Sequence, residues 1–442
     1  MIFEGFNAGA FLEAHAQPAP VTVRLNPAKL SATPFSNTSA AVPWASGAYY
    51  LAERPVFALD PLWHAGAYYV QEASSMFLDH AVKSTVDLSQ PLRVLDLCAA
   101  PGGKSTLLAA LLNTESLLVS NEVIKTRAAI LYENMTKWGQ PNTVVCNNDP
   151  KDFARLGGYF DVIVIDAPCS GSGLFRREPE AMEEWSEDNV ALCSQRQQRI
   201  LADVYPALKQ GGVLIYSTCS YSVAEDEAIC DWLVQTYGMA SLPIPVSADW
   251  GIMETESTVA KAKAYRFMPH KVQGEGLFLA AFRKQDGDTG FDFAKPAKPA
   301  KTDKQVLQQT GGLLTLGGDL LLHETTAGWI AQSGMFRADM QALGSALRLK
   351  KTGVLLGKPG KNEWIPEHEL ALSTVLNRQW PVLELDLTQA RNYLRREPVA
   401  IDAPGKGWHL MTYRDVPLGW AKLLPNRINN YYPQDWRLRM QG

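Results

Sequence analysis

Two cysteines stand where thiol chemistry is possible. Cys169 lies in DAPCSGSG (Asp166–Gly173), directly after the apolar run FDVIVI, and Cys219 lies in YSTCSYS, at the end of GGVLIY. Both runs read as strands, so the two thiols fall at the carboxyl ends of adjacent predicted strands, with the carboxylate of Asp166 and a Gly-rich loop beside them. A thiolate is a nucleophile, whereas a lone cysteine is more often a small buried hydrophobe. Packing alone is a poorer account of two thiols at one crevice next to Asp166 and Lys104. Cys146, Cys193 and Cys230 fall inside a predicted strand or helix and are assigned to packing.

A third motif, VLDLCAAPGGKS, runs from a strand (Val94 to Cys98) through Ala99, Ala100, Pro101, Gly102 and Gly103 into a helix beginning near Lys104. Two glycines let a ligand approach the backbone, and the helix N-terminus offers free amides and a partial positive charge. The turn is neither GxxxxGK[ST] nor GxGxxG, so it specifies a polar ligand without naming one. The next two strands end at Glu122 and Asp149. An acid ending the second strand of a doubly wound sheet can hold ribose hydroxyls, although either acid taken singly is better read as a cap on the following turn. Three such features in register along one edge point to a nucleoside ligand.

The elements that must position these groups alternate between apolar β-rich runs and helical stretches. LRVLDLCAA, KSTLLAALL, SLLVSNEV, a helix from Arg127 to Trp138, and TVVCNND are followed by FDVIVIDAP, a helix near Asn189 to Leu208, GGVLIYSTCS, a helix near Glu225 to Thr236, and GEGLFLAAFRK. This is the pattern of a doubly wound α/β domain with a parallel sheet, expected over residues 91–284. Residues 1–90 read as a small N-terminal module with an aromatic cluster, residues 285–305 (QDGDTGFDFAKPAKPAKTDKQ) as a linker, residues 306–380 as an intermediate domain, and residues 381–442 as a small α+β or β-barrel module. From Glu384 onward nine Lys or Arg face six acids among Trp and Tyr, a composition that suits base stacking and phosphate contact as well as an ordinary solvated face.

Composition sets the outer bounds. At 442 residues, 46% hydrophobic and 20% charged, the chain is long enough for several domains and too apolar for wholesale disorder. A net charge of −4 requires any polyanion to be met by local patches. No basic residue precedes Arg24, and no apolar run approaches the ~18 residues that cross a bilayer, so no export signal, no membrane span and a cytoplasmic location are expected. Six cysteines without a CxxC pair make disulfides and structural zinc improbable, and no metal is expected.

CAAPGGK, DAPCSGSG and STCSYS, in this order and at these spacings, resemble the RNA cytosine-5 methyltransferases of the Sun-domain family. The C-terminal module, with its GW, PLGW and YP signals, is similar to that of the RsmF-type bacterial 16S rRNA methyltransferases, which carry a PUA-like RNA-binding domain. VRLNP at Val23 to Pro27 and RFMPHKVQGEG at Arg266 to Gly276 also look like family segments. The resemblance implies a class I, Rossmann-like methyltransferase domain, an N-terminal module that binds RNA, S-adenosylmethionine as cofactor, and the rRNA of the small subunit or its precursor as partner.

It further implies that Cys219 adds to carbon 6 of cytosine, that Cys169 serves release of the product, and that Asp166 holds the ring edge with Lys104 supplying positive charge. Cys98 to Lys104, Asp166 and Pro168 would surround the methyl donor, with Glu122 on its ribose and Asp149 at its adenine. Arg24, Arg176, Arg177, Arg266, His270 and Lys271 are candidate phosphate contacts. A tRNA cytosine-5 methyltransferase is the nearest alternative. A non-catalytic RNA-binding assembly factor is another, though it has no need for two crevice thiols, and a small-molecule or protein methyltransferase ranks low because DAPC replaces the NPPY-type loop.

Overall fold

The computed structural model describes residues 6–295, 302–316, 319–361, 363–400, 405–425 and 427–441; residues 296–301, in the middle of the expected linker, lie outside them. Asn7 starts the first helix, α1 (Ala8–His15), by accepting a hydrogen bond from the Ala10 amide. Four strands follow: β1 (Val21–Leu25), β2 (Thr38–Ala41), β3 (Ala48–Leu51) and β4 (Tyr68–Val70). They pair antiparallel in the order β2-β3-β1-β4, with the short helix α2 (Pro61–His64) between β3 and β4.

Helix α3 (Phe77–Thr85) leads into the main sheet. Its parallel part is built from β5 (Arg93–Asp96), β6 (Leu117–Asn121), β7 (Thr143–Cys146), β8 (Phe160–Asp166) and β9 (Leu208–Thr218). The crossovers are α4 (Gly103–Leu111), α5 (Lys125–Trp138), and the pair α6 (Ala181–Glu184) and α7 (Glu187–Val204). After α8 (Glu227–Tyr237) come β10 (Ala240–Leu242), β11 (Met253–Glu256), β12 (Lys263–Phe267) and β13 (Leu277–Arg283), all antiparallel additions. From β5 the chain steps outward to β6 and β7, then returns to β8 on the other side of β5. That reversal opens a crevice at the carboxyl ends of β5 and β8.

The period of two along each strand sorts the interior into two layers. Val94, Leu118, Val145, Val162, Val164 and Ile215 pack with Phe77, Leu107 and Leu131 from α3, α4 and α5. Leu95, Val119, Val144, Ile163, Ile165 and Leu214 pack with Ile200, Leu201 and Ile229 from α7 and α8. Strands covered on both faces account for the near-continuous apolar runs.

Downstream lie α9 (Lys304–Thr310), β14 (Leu320–Glu324), β15 (Trp329–Ser333), α10 (Arg337–Ala346), β16 (Leu349–Thr352), β17 (Val354–Pro359), β18 (Trp364–Pro366) and α11 (His368–Leu372). Strands β14, β15, β17 and β18 form their own sheet, but β16 pairs antiparallel with β7 and lengthens the main sheet to ten strands among the described residues. The expected intermediate domain over 306–380 is therefore not a separate body. Leu343 of α10 is wholly buried in the α7 layer, and Asp339 accepts hydrogen bonds from Arg93 and from the Tyr159 hydroxyl. β16 also covers an edge that β7 would otherwise expose.

The C-terminal module consists of β19 (Val382–Glu384), α12 (Leu387–Arg395), β20 (Gly407–Tyr413), β21 (Val416–Leu424) and β22 (Arg427–Asn430), with β19 parallel to β20 and the other pairs antiparallel. It does not trail from the main sheet. Tyr393, Leu394, Met411 and Leu418 share one buried cluster with Val23, Leu25, Leu62 and Tyr68 of the N-terminal module. No helix among the described residues is long and apolar enough to cross a membrane, and none of their His, Cys, Asp and Glu side chains form a group of three or more that could hold a metal ion.

If α10 belongs to the main core, Leu343→Ala should cost about 2–5 kcal/mol. Urea unfolding should show that loss within the transition of the main sheet. A separate early transition confined to residues 306–380 would contradict the shared core.

Candidate catalytic site

The Gly-rich turn forms one wall of the crevice. Gly102, at φ +119°, lets the chain turn into α4, whose first turn has no side-chain cap. A cavity of about 340 Å³ opens there, lined by Cys98, Ala99, Ala100, Pro101, Gly103 and Lys104 on one side and by Asp166, Cys219, Arg177 and Tyr69 on the others. Beneath the turn, Asp96 is fully buried and accepts from the Ser105 hydroxyl at 2.7 Å, while its other oxygen has no hydrogen-bond partner. Burial raises Asp96 to about 7, against the opposing pull of Ser105 and Lys104.

The second wall comes from the loops after β8 and β9. The parallel register sets Asp166 opposite Ser217, whose hydroxyl donates to Asp166 Oδ1 at 2.8 Å, and Lys104 Nζ lies 2.8 Å from Asp166 Oδ2. Burial alone would lower the Lys104 pKa, but Asp166 and Asp96 outweigh it and hold the ammonium charged. Two and three residues further on, the sulfurs of Cys219 and Cys169 approach to 3.1 Å. The cysteines are free thiols, both half-buried, and Cys219 lines the cavity. The hydrogen bond to Cys219, followed by burial and the charges of Cys219 and Glu225, pushes the Cys169 thiol well above the ordinary cysteine range.

Close approach of the two loops depends on small residues and one buried acid. The Gly173 amide donates to the Cys219 carbonyl at 2.7 Å, and a Cβ on Gly173 would sit 2.8 Å from that oxygen. Glu225, wholly buried, accepts from the Ser170 amide (2.8 Å), the Ser170 hydroxyl (2.5 Å), the Ser220 hydroxyl (2.7 Å) and Gln197 Nε2 (3.2 Å). It thereby ties the residue after Cys169 to the residue after Cys219. Sequence reasoning missed Glu225. The signal was the acidic run Glu225, Asp226, Glu227 immediately before an apolar helix, which reads as an ordinary solvated helix start.

Glu122 and Asp149 stand at the carboxyl edge, and each caps its own turn: Glu122 accepts from the Ile124 amide and Asp149 from the Lys151 amide. Pro168 is exposed beside the site, and its carbonyl accepts from Gln197.

The six candidate phosphate contacts divide. Arg24 is buried in the N-terminal module's seam, donating to Gln71, Thr106 and the Gly103 carbonyl, and burial lowers it to about 9. It braces α4 from below. Arg266 sits on β12 between β11 and β13 and pairs with Asp226 and Glu227 under α8. Arg176 pairs with Glu275 and donates to the Gly274 carbonyl. These three are corrections, because an arginine already paired in the interior has no donors to offer a phosphate. Arg177 is exposed at the cavity mouth, Lys271 is exposed, and His270 lies half-buried against Phe6 and Phe11.

Three family models match the chain: the 16S rRNA methyltransferase RsmB/F model over residues 84–283, the N-terminal domain of 16S rRNA methyltransferase RsmF over 2–73, and the methyltransferase RsmF PUA domain over 381–438. The chain belongs to the 16S rRNA methyltransferase RsmB/F family. Ribosomal RNA small subunit methyltransferase F of Salmonella newport is 29% identical, covering 96% of this chain and 92% of its own. That of Vibrio parahaemolyticus is also 29% identical, covering 97% and 94%. Among solved structures, a methyltransferase homolog from Pyrococcus horikoshii superposes with a TM-score of 0.53 at 28% identity, over 62% of this chain and 90% of that one. NSun6 from the same organism, solved with SFG, gives 0.52 at 20% over 63% and 94%, and shares the fold. The RsmB/F match spans the main sheet through β13 and both cysteine loops. The RsmF N-terminal and PUA matches fall on the two modules that share the buried cluster around Tyr68 and Tyr393.

Removal of the Glu225 carboxylate in Glu225→Ala leaves the Ser170 and Ser220 groups unpaired in the interior and should cost about 3 kcal/mol in urea unfolding. Asp96 supplies a test with a definite sign. It ionises near 3.9 when unfolded and at about 7 when folded, so the folded state keeps its proton longer. The contribution of Asp96 to stability should be full below about pH 4 and be lost toward pH 7 by up to about 1.4 kcal/mol per unit, so the difference in stability between the unaltered protein and Asp96→Asn should shrink over that range.

Proposed function

We propose that this chain methylates carbon 5 of an unpaired cytosine in 16S rRNA, with S-adenosylmethionine as methyl donor and Cys219 as covalent nucleophile. The observation that carries the reading is the 3.1 Å approach of the Cys169 and Cys219 sulfurs at a cavity that also holds the Lys104 and Asp166 pair. The names of the Salmonella and Vibrio relatives support small-subunit rRNA, or its precursor, as the partner.

The residues of the crevice fit the donor. Gly102 and Gly103 admit a close backbone approach, and the uncapped start of α4 suits a carboxylate. Glu122 keeps Oε2 without a hydrogen bond, apart from Arg127 at 3.4 Å, and would take ribose hydroxyls, with Asp149 toward the adenine and Cys98 to Pro101 and Pro168 around the rest. Bound S-adenosylmethionine supplies an electrophilic methyl group.

Carbon 5 of cytosine is a weak nucleophile and needs activation. A bond from Cys219 Sγ to carbon 6 shifts the C5–C6 electron pair toward carbon 5, while Asp166, steadied by Lys104 and Ser217, hydrogen-bonds the ring edge. Once carbon 5 carries the methyl group, its proton passes to a base. The electron pair then restores the C5–C6 double bond, the C6–S bond breaks, and Cys219 leaves as thiolate.

Cys169 is that base. In the resting site the hydrogen bond to Cys219, burial and the Cys219 charge hold Cys169 as a thiol beside the nucleophile. Alkylation of Cys219 removes the hydrogen bond and the charge. Cys169 then becomes more acidic than in the resting site, although burial and Glu225 still raise it, and in its thiolate form it accepts the proton from carbon 5. The target base must first leave its stack at a cost of a few kcal/mol, and Arg177 and Lys271 remain exposed to meet the backbone around it.

Cys169→Ala should trap a covalent RNA adduct, seen as a shifted band on denaturing gels. Cys219→Ala should give no adduct and lose methyl transfer by about three orders of magnitude or more. Tritiated methyl transfer followed by nucleoside mass spectrometry checks the product. Label on tRNA in place of rRNA, or a methyl group at an atom other than carbon 5, would overturn the reading.

A further inference from the structure

A second cavity adjoins the catalytic one. It has a volume of about 240 Å³, is lined by Phe57, Trp63, Tyr68, Tyr69 and Trp138 with Arg54 and Lys137, and shares Tyr69 and Val70 with the first. At this size it is smaller than most small-molecule pockets and suits a single flat ring. No carboxylate lines it, in contrast to the catalytic cavity with Glu72, Asp166 and Glu275.

Its walls are arranged for stacking beside positive charge. Trp63 is half-buried, with Lys137 Nζ 4.9 Å from its ring, and the same ammonium lies 5.4 Å from Trp436 of the C-terminal module. Arg54 is exposed at the rim, its guanidinium 5.5 Å from the Phe57 ring. Trp138 is buried and its indole N–H has no hydrogen-bond partner among the described residues. An unsatisfied buried donor in the wall of a cavity calls for an acceptor from a ligand.

Resting on the RNA methyltransferase reading above, we infer that this aromatic cavity holds the nucleobase next to the target cytosine. Withdrawing one base from a strand leaves its neighbour unstacked as well, and an aromatic platform beside the catalytic cavity offsets that loss. Tyr69, common to both cavities, separates the two bases. Arg54, exposed at the rim, meets the phosphate of the neighbouring nucleotide, while Lys137 stays buried and paired with Glu133 behind Trp63, and the strand continues toward Trp436 and the C-terminal module.

The test uses the full chain, a single-stranded oligoribonucleotide with one cytosine flanked by 2-aminopurine, and a 16S rRNA transcript. The unaltered protein should quench the 2-aminopurine. Trp63→Leu should abolish the quench and weaken probe binding about tenfold. Arg54→Gln, at an exposed position that tolerates change, should weaken binding severalfold and reduce the slope of log affinity against log salt by about 1. Quenching, affinity and salt slope all unmoved by both variants would overturn the subsite, even with methyl transfer to the transcript intact. Absence of methyl transfer by the unaltered protein would instead overturn the functional reading, while a quench lost in Trp63→Leu would still uphold the subsite. Should Trp63→Leu fail to fold, the affinity and salt slope of Arg54→Gln decide.

Discussion

The buried carboxylate of Glu225 holds the site together. It receives the backbone and hydroxyl of Ser170 and the hydroxyl of Ser220, so the loops leaving β8 and β9 cannot separate without stranding a charge in the interior. The parallel register of Asp166 with Ser217 brings the strand ends level, and Gly173 removes the side chain that would hold the loops apart. Only with all three in place do two half-buried sulfurs reach hydrogen-bond distance.

Charge around those sulfurs is graded by depth. Lys104 and Asp166 form an ion pair at the cavity wall, Asp96 lies beneath them as a carboxyl raised by burial to about 7, and Glu225 stands on the far side of Cys169. Asp166 and Asp96 keep the Lys104 ammonium protonated despite its burial. Burial and the negative charge of Glu225 near Cys169 favour the thiol form there. That preference comes from position, since Cys169 and Cys219 are chemically identical.

The two outer modules meet each other as well as the main sheet. Tyr68 and Leu62 from the N-terminal sheet interlock with Tyr393 and Met411 from the C-terminal one, and Lys137 of α5 stands between Trp63 and Trp436. This contact fixes the C-terminal module against the enzyme and sets its distance from the crevice. Arg24 serves the same rigid frame, because its guanidinium links β1 to the first turns of α4 and lies 4.8 Å from the Trp138 ring.

The order of strands and helices, the Gly-rich turn, the positions of Cys169, Cys219 and Asp166 at strand ends and that of Lys104 at a helix start were legible in the chain, because periodicity and turn residues are local properties. Cys146, Cys193 and Cys230 were likewise legible as packing residues, each being buried on a strand or helix. The role of the charged side chains was not. Arg24, Arg176 and Arg266 resemble Arg177 in sequence, and only the partners brought from 39 to 99 residues away separate interior braces from an exposed cation. The same holds for β16, whose pairing with β7 depends on an edge formed some 200 residues earlier. Local sequence sets which elements form and where their chemistry-bearing ends lie. Desolvation and pairing across distant segments, which no local window contains, decided which of those groups face a ligand.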